Sequence, residues 1–386
     1  MKRIKLGLVI PSVLLIAIGL TELFFISKGM FVSQLSKVLI YVLLFLGLYL
    51  TIRKSHILNY GFILYYLSIP LLMLTLFLGR GGVNRWLNLG FFKLQPSEIA
   101  KIGLIFLLSK IISDDKKPLK NRLIKAGIVT FIPFILVMLQ PDLGTALTFL
   151  FIAFIINWIG GADPSLIRFF LFVPIAMLAS AHPLATVIFF SALAVITFVF
   201  KEPLYKKIVT LALLIFTSLI TPIVWQKVLK PYQRDRLTAF INPEKSKTTE
   251  GWQIYQARIA LGSGGISGKG PGKGTQKSLA FLPAAHTDFI LSSIGEEFGF
   301  TGLLLIITLF IIFMRTVLRL MELKEGHEKL IVSGIFSYFI FHFGVNTLSN
   351  LSLLPVVGIP LPFITYGGSH VLVEIAAIFT LLKMEV

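Results

Sequence analysis

"SKVLIYVLLFLGLYLTIRK", residues 36–54, decides the fold. From Val38 to Leu50 the run is uncharged, and it ends on Arg53 and Lys54. Crossing a hydrocarbon core takes roughly 20 helical residues, and a basic end marks the cytoplasmic side. The stretch therefore predicts a membrane span over 36–53. Comparable runs predict spans near 6–26, 60–78, 97–113, 125–140, 142–160, 166–181, 183–200, 208–227, 299–320, 330–352 and 363–383. The pair over 166–200 also reads as an extra helical hairpin, re-entrant or bent. The expected fold is all-α: a polytopic helical membrane protein with about 10–12 transmembrane helices and a large external loop, one membrane domain over residues 1–386.

Composition agrees. Of 386 residues, 56% are hydrophobic and only 14% charged, where soluble chains run near a quarter. The net charge of +18 is gathered at residues 2–5, 53–54, 116–125, 201–207 and 315–329, in alternate gaps between the apolar runs. That pattern predicts cytoplasmic N- and C-termini in a cell membrane, with membrane lipids as neighbours and no nucleic-acid partner. The N-terminal MKRIK and its apolar run read as a retained first helix rather than a cleaved signal. With no cysteine, disulfides and thiol chemistry are excluded.

Two external gaps are longer than turns. One is "GRGGVNRWLNLGFFKLQPSE", residues 79–98; the other runs over about 228–290. Between Lys227 and Asp288 ten basic residues face four acidic ones, a net +6 on the side where basic residues are disfavoured. That points to an anionic ligand. Within it, "LGSGGISGKGPGKGTQKS" (261–278) has seven glycines among the fourteen positions Leu261–Gly274. Glycines let successive amides surround an anion, and Lys269, Lys273 and Lys277 add charge, so the loop reads as a pyrophosphate cradle or, alternatively, a hinge. Neither spacing nor context fits a P-loop.

"FLPAAHTDFILSSIGEEFGF", residues 281–300, follows. Asp288 stands where the next helix begins, either as a cap or as a general base at the membrane surface. His286 would orient that carboxylate or a substrate hydroxyl, or serve structure. Glu296 and Glu297 lie deeper, as functional groups or as partners for Arg85 or Arg258. Glu98, Lys101, Asp142, Asn346 and Ser369 also sit at helix ends. Pro96, Pro141, Pro360 and Pro362 precede them and imply irregular backbone lining a cavity.

In order, "RWLNLGFFKLQPSEIAK", "LQPDLGTA", "KPYQRDRLTAFINP", "IALGSGG", "LPAAHTDFI", "EEFGFTG" and "LLPVVGIPLPFITYGGS" resemble the SEDS family (shape, elongation, division and sporulation), from about residue 79 to 370. "YQRDRL" and "GTQ" resemble its RodA branch more than its FtsW branch. The resemblance implies a peptidoglycan glycosyltransferase for cell elongation and rod shape. It would polymerise lipid II, the undecaprenyl-pyrophosphate-linked disaccharide peptide, by inverting transfer at the outer face of the cytoplasmic membrane. It also implies a class B penicillin-binding protein transpeptidase as partner. The family's catalytic aspartate falls on Asp288, as base or as ligand of a divalent cation (Mg2+ or Mn2+). Its "RW" arginine, "QPSE" glutamate and following lysine fall on Arg85, Glu98 and Lys101. Lys269, Lys273, His286 and Ser369 complete the expected substrate contacts. Three departures stand out: Ala284 and Ala257 replace a usual glutamate and serine, and 160–228 exceeds the family's ten spans. A precursor flippase and a non-catalytic transpeptidase scaffold are the rival readings.

Overall fold

The computed structural model describes residues 2–78, 85–88, 90, 93–163, 250–279, 281–282 and 284–385, with scattered positions between 191 and 240. Among them are twelve helices and one small hairpin. In order these are α1 (Lys2–Ile26), α2 (Lys28–Thr51), α3 (Lys54–Tyr60), α4 (Ile63–Leu78), β1 (Leu87–Asn88), β2 (Lys93–Leu94), α5 (Pro96–Ile112), α6 (Leu119–Leu139) and α7 (Leu143–Ile159). After the gap come α8 (Glu250–Ser263), α9 (Thr275–Ser278), α10 (Ile290–Glu322), α11 (Gly326–Asn350) and α12 (Gly368–Glu385).

Helices α1, α2, α6, α10 and α11 are long and apolar enough to cross a membrane, and α3 with α4, bent by 49°, makes a sixth span if read as one. Helices α5, α7 and α12 are shorter, at 17, 17 and 18 residues. Nine predicted spans thus fall on helices; those at 166–181 and 183–200 and most of 208–227 lie outside the described residues. The chain divides into two compact units, one of Met1–Ile156 with Asp235–Val386 and the other Asn157–Arg234. Every residue discussed below belongs to the first.

The core of that unit is α5. Fifteen of its seventeen residues are buried, as expected of a helix that is apolar on all sides. It packs against α4, α6, α11 and α12. Gly103 brings it so near α4 that a Cβ would stand 2.3 Å from the Tyr65 nitrogen. Small residues permit such close helix contacts inside membranes.

Several spans depart from their predicted starts: α2 begins at Lys28 rather than 36, and α6 at Leu119 rather than 125. The helix predicted at 299 begins at Ile290 and is broken at Gly299 (φ 63°, ψ −161°). The helix predicted at 363 begins at Gly368, because residues 351–367 run as irregular backbone. That segment buries Val356, Ile359, Leu361, Phe363 and Ile364 in protein, which is what lets non-helical backbone persist at this depth.

Candidate active site

The break at Gly299 leaves the last carbonyls of 290–298 and the first amides after it without helical partners. The glycine loop supplies them. The Lys269 and Gly270 amides donate to the Glu296 and Glu297 carbonyls (3.0 and 2.9 Å). From the other side, the Phe300 and Thr301 amides donate to the carbonyls of Gly265 and Ile266 (2.9 and 3.1 Å). A Cβ on Gly264 would stand 2.0 Å from the Gly295 oxygen, and one on Gly268 2.1 Å from the Glu297 oxygen. Only glycine allows this approach.

Side chains add a second layer to this clip. Glu297 accepts the Gly272 and Gly274 amides (2.9 and 3.2 Å). Glu296 accepts the Thr275 amide (2.9 Å) and Thr275 hydroxyl (2.7 Å), and pairs with Lys269 Nζ at 2.6 Å. Lys277 Nζ bridges Glu297 and Glu22 of α1 (2.5 and 2.7 Å), and Ser293 Oγ donates to Glu22 (2.6 Å). The expected pyrophosphate cradle is therefore filled by the chain's own carboxylates. Lys269 and Lys277, not Arg85 or Arg258, are the cations on Glu296 and Glu297. Lys273 remains exposed.

Asp288 lies in the turn 284–289 that joins this clip to α10. Its carbonyl accepts Asn350 Nδ2 (2.9 Å) and Asn346 Nδ2 (3.3 Å), while Asn350 Oδ1 takes the Ser292 amide and hydroxyl (3.1 and 2.7 Å). Below the turn, Leu282, Ala285 and Phe289 pack with Ile254 and Ala257 of α8, and Ala284 packs against that cluster. Both alanines that depart from the family pattern are thus apolar contacts of the turn. Asp288 as a residue is half-buried.

His286 presents its ring edge to Tyr366, centroids 5.9 Å apart, and its carbonyl accepts the Tyr366 amide at 3.0 Å. Burial holds its imidazole below the ordinary histidine pKa, so the ring is neutral near pH 7.

One face of α11 carries His342, Asn346 and Asn350 at four-residue spacing. At its lower end, Lys101 Nζ lies 2.8 Å from Glu98 Oε1 and 3.3 Å from His342 Nε2. Both members of the pair are buried, Lys101 completely. Charges that deep persist only when paired and hydrogen-bonded. Glu98 and Lys101 therefore lie at the foot of a polar stripe whose upper end holds the Asp288 main chain.

Arg85 is fastened to the turn after α6. It pairs with Asp142 (3.6 Å) and donates to the carbonyls of Gln140 (3.2 Å) and Pro141. Ser369 Oγ accepts the Gln95 amide (2.9 Å) and donates to the Lys93 carbonyl (3.1 Å), tying β2 and the start of α5 to α12. An apolar cavity of about 500 Å³ opens among α2 to α5 and α12, lined by residues such as Phe45, Tyr49, Ile52, Phe106 and Phe379; none of the expected site residues lines it. Among the described residues, no group of three or more His, Cys, Asp or Glu side chains comes together to hold a metal.

Glu22, Asn350 and Tyr366 carry no sequence expectation, although Glu22 could have been found as the one acidic residue in the first apolar run.

A bundle of apolar helices, a glycine loop clipped over a broken span, and a half-buried aspartate just before that span begins define a polytopic membrane protein. The family model of cell cycle proteins FtsW, RodA and SpoVE matches residues 4–183 and 164–386. The chain belongs to this family, the SEDS proteins. Among its relatives, the peptidoglycan glycosyltransferase RodA of Treponema pallidum (strain Nichols) is 35% identical over 341 residues, 80% of this chain and 77% of that protein. The peptidoglycan glycosyltransferase MrdB of Escherichia coli K12 is 33% identical over 298 residues, 76% and 69% of the two chains. A solved chain described under the structural coordination of polymerization and crosslinking by a peptidoglycan synthase complex superposes with a TM-score of 0.73 at 26% identity, covering 98% of this chain and 97% of that one. Thermus thermophilus RodA shares the fold, with a TM-score of 0.64 at 23% identity over 98% and 95%.

Proposed function

We propose that this chain is a peptidoglycan glycosyltransferase of the RodA branch, polymerising lipid II at the outer face of the cytoplasmic membrane with both termini inside. The observation that carries the reading is Asp288, a half-buried residue whose main chain is held by Asn346 and Asn350 at the start of a membrane helix. In the reaction the acceptor hydroxyl oxygen attacks the donor's anomeric carbon as the bond from that carbon to the diphosphate oxygen breaks. The configuration inverts, the hydroxyl proton passes to Asp288, and the lipid diphosphate leaves as an anion. Because diphosphate is a good leaving group, one base suffices, unlike the two carboxylates of glycoside hydrolases. His286, neutral and two residues away, is suited to orienting the acceptor hydroxyl. Asp288 is the residue that would hold a Mg2+ or Mn2+ ion, and what that ion would supply is neutralisation of leaving-group charge. Coordination of polymerization with crosslinking in the complex that includes the solved relative supports a class B penicillin-binding protein as partner.

The test is polymerisation of labelled lipid II by the purified protein with its transpeptidase. Asp288→Asn is expected to reduce glycan formation at least about a hundredfold, the lower range for a general base, with the fold intact. Ladders equal to wild type would remove Asp288 from the chemistry. No polymer from wild type with a bound partner would favour the flippase.

A further inference from the structure

Three lysines that reach into the buried polar network are balanced by carboxylates. Lys101 meets Glu98 at 2.8 Å, Lys269 meets Glu296 at 2.6 Å, and Lys277 meets Glu22 at 2.7 Å. Lys37 meets no carboxylate among the described residues. It lies on α2 about 13 Å along the helix from Lys28, at a rise of about 1.5 Å per residue, and is half-buried. Its ammonium donates to the Tyr366 hydroxyl at 3.3 Å and lies 4.6 Å from the centre of that ring. A cation at membrane depth needs an anion, and one phenol oxygen does not supply the charge.

The surroundings have the chemistry to hold an anion. Tyr366 accepts from Lys37 and so keeps its own proton to donate; Ser33 Oγ lies 3.3 Å from the same oxygen. Lys93 of β2, exposed and without a carboxylate partner among the described residues, is tied beside this segment: its carbonyl accepts Ser369 Oγ, three residues after Tyr366, at 3.1 Å. The arrangement is fixed rather than loose. Gln34 holds the backbone on both sides of Tyr366, accepting the Gly367 amide (3.1 Å) and donating to the Thr365 carbonyl (3.4 Å). The Tyr366 amide is bonded to the carbonyl of His286, two residues from Asp288. The glycine loop cannot serve the same purpose, since its amides already bind Glu296 and Glu297.

We infer that Lys37, Tyr366 and Lys93 form the subsite that takes the diphosphate of a polyprenyl-linked sugar donor, next to the turn that carries Asp288. The inference rests on the glycosyltransferase reading for its choice of ligand. Its geometry stands on the unbalanced lysine. In the transfer step these donors receive the charge that develops on the leaving diphosphate.

The experiment is binding of undecaprenyl diphosphate to the full-length protein in phosphatidylcholine nanodiscs, with undecaprenol and phosphatidylglycerol as the other ligands. Lys37→Met is expected to weaken diphosphate binding about 10- to 100-fold, the range of a hydrogen bond to a charged group. Lys37→Arg should restore most of it, and undecaprenol binding should not change. Tyr366→Phe, which keeps the ring contacts with His286 and Lys37, should weaken diphosphate binding by a smaller factor and serves as the second variant if Lys37→Met fails to fold. Unchanged diphosphate affinity in the folded variants overturns the subsite, whatever Asp288→Asn does in polymerisation. Phosphatidylglycerol bound as tightly as diphosphate, and lost in Lys37→Met, would make this a general phospholipid headgroup site and overturn the assignment to the donor. Conversely, polymerisation by Asp288→Asn with normal diphosphate binding would end the role given to Asp288 and leave the subsite standing.

Discussion

Replacing Gly268 by alanine tests the clip over the helix break. The new Cβ would stand 2.1 Å from the Glu297 carbonyl oxygen, a contact real side chains do not make, at a residue with φ +79°. Relief requires the loop to lift by about 1 Å, which stretches the Lys269 and Gly270 amide bonds, now 3.0 and 2.9 Å, beyond hydrogen-bonding range. Each lost bond is worth about 1 kcal/mol net, and the left-handed backbone adds about 1 kcal/mol for a residue with a side chain. The sum, about 3 kcal/mol, corresponds to about a hundredfold easier opening of the loop. Hydrogen exchange read by mass spectrometry on a peptide spanning 264–276 measures it directly. Gly262→Ala is the control, since a Cβ there meets open space and the residue lies in α8, where alanine is the better helix former. Equal protection of that peptide in Gly268→Ala and wild type would refute the reasoning, because the clash leaves the loop no way to stay closed.

Two further predictions follow from the same region. Lys277→Met leaves Glu22 and Glu297, both fully buried, facing each other without their shared cation, and should cost about 3–5 kcal/mol, seen as a lowered thermal midpoint. Adding Glu22→Gln should recover part of that loss, and no recovery would show that packing, not charge, is at stake. For His286 the sign is set by burial, which depresses the folded-state pKa. The unfolded chain then takes the proton first, so the stabilising contribution is complete above about pH 6.5 and is lost as pH falls below it. Between pH 7.5 and 5.5 the midpoint of wild type should fall further than that of His286→Gln; equal falls would mean that the ring titrates as in the unfolded chain.

The spans were legible because hydropathy is a local property: Val38 to Leu50 announces a helix whatever surrounds it. Where the reading missed, the deciding partner was distant. The start of α10 hid behind Ser292, Ser293, Glu296 and Glu297, whose polarity looks wrong for a span until the glycine loop is laid against them. Residues 363–367 read as helix because they are apolar; their irregular path is held by Gln34 and His286. The glycine loop reads as a pyrophosphate cradle or a hinge; its amides instead hold Glu296 and Glu297, about twenty residues further along, which composition alone does not reveal. Lys37, at the head of its apolar run, carried no expectation, since what makes it informative is Tyr366, 329 positions away. Asp288 stands out first by its place at a helix start; the catalytic role proposed for it comes from the family motif.

The interruption at Gly299 has a mechanical meaning. In a continuous helix the hydrogen-bond ladder transmits bending along the whole rod, so tilting of the lower span with bilayer thickness would swing the turn that carries Asp288. Here the ladder stops at Gly299, and the short upper segment is fastened instead to the loop 264–276, to Glu22 and to Asn350. The lower span can follow the lipid while the upper segment keeps its registration with the loop and with α1 and α11, as a universal joint isolates a tool head from its shaft.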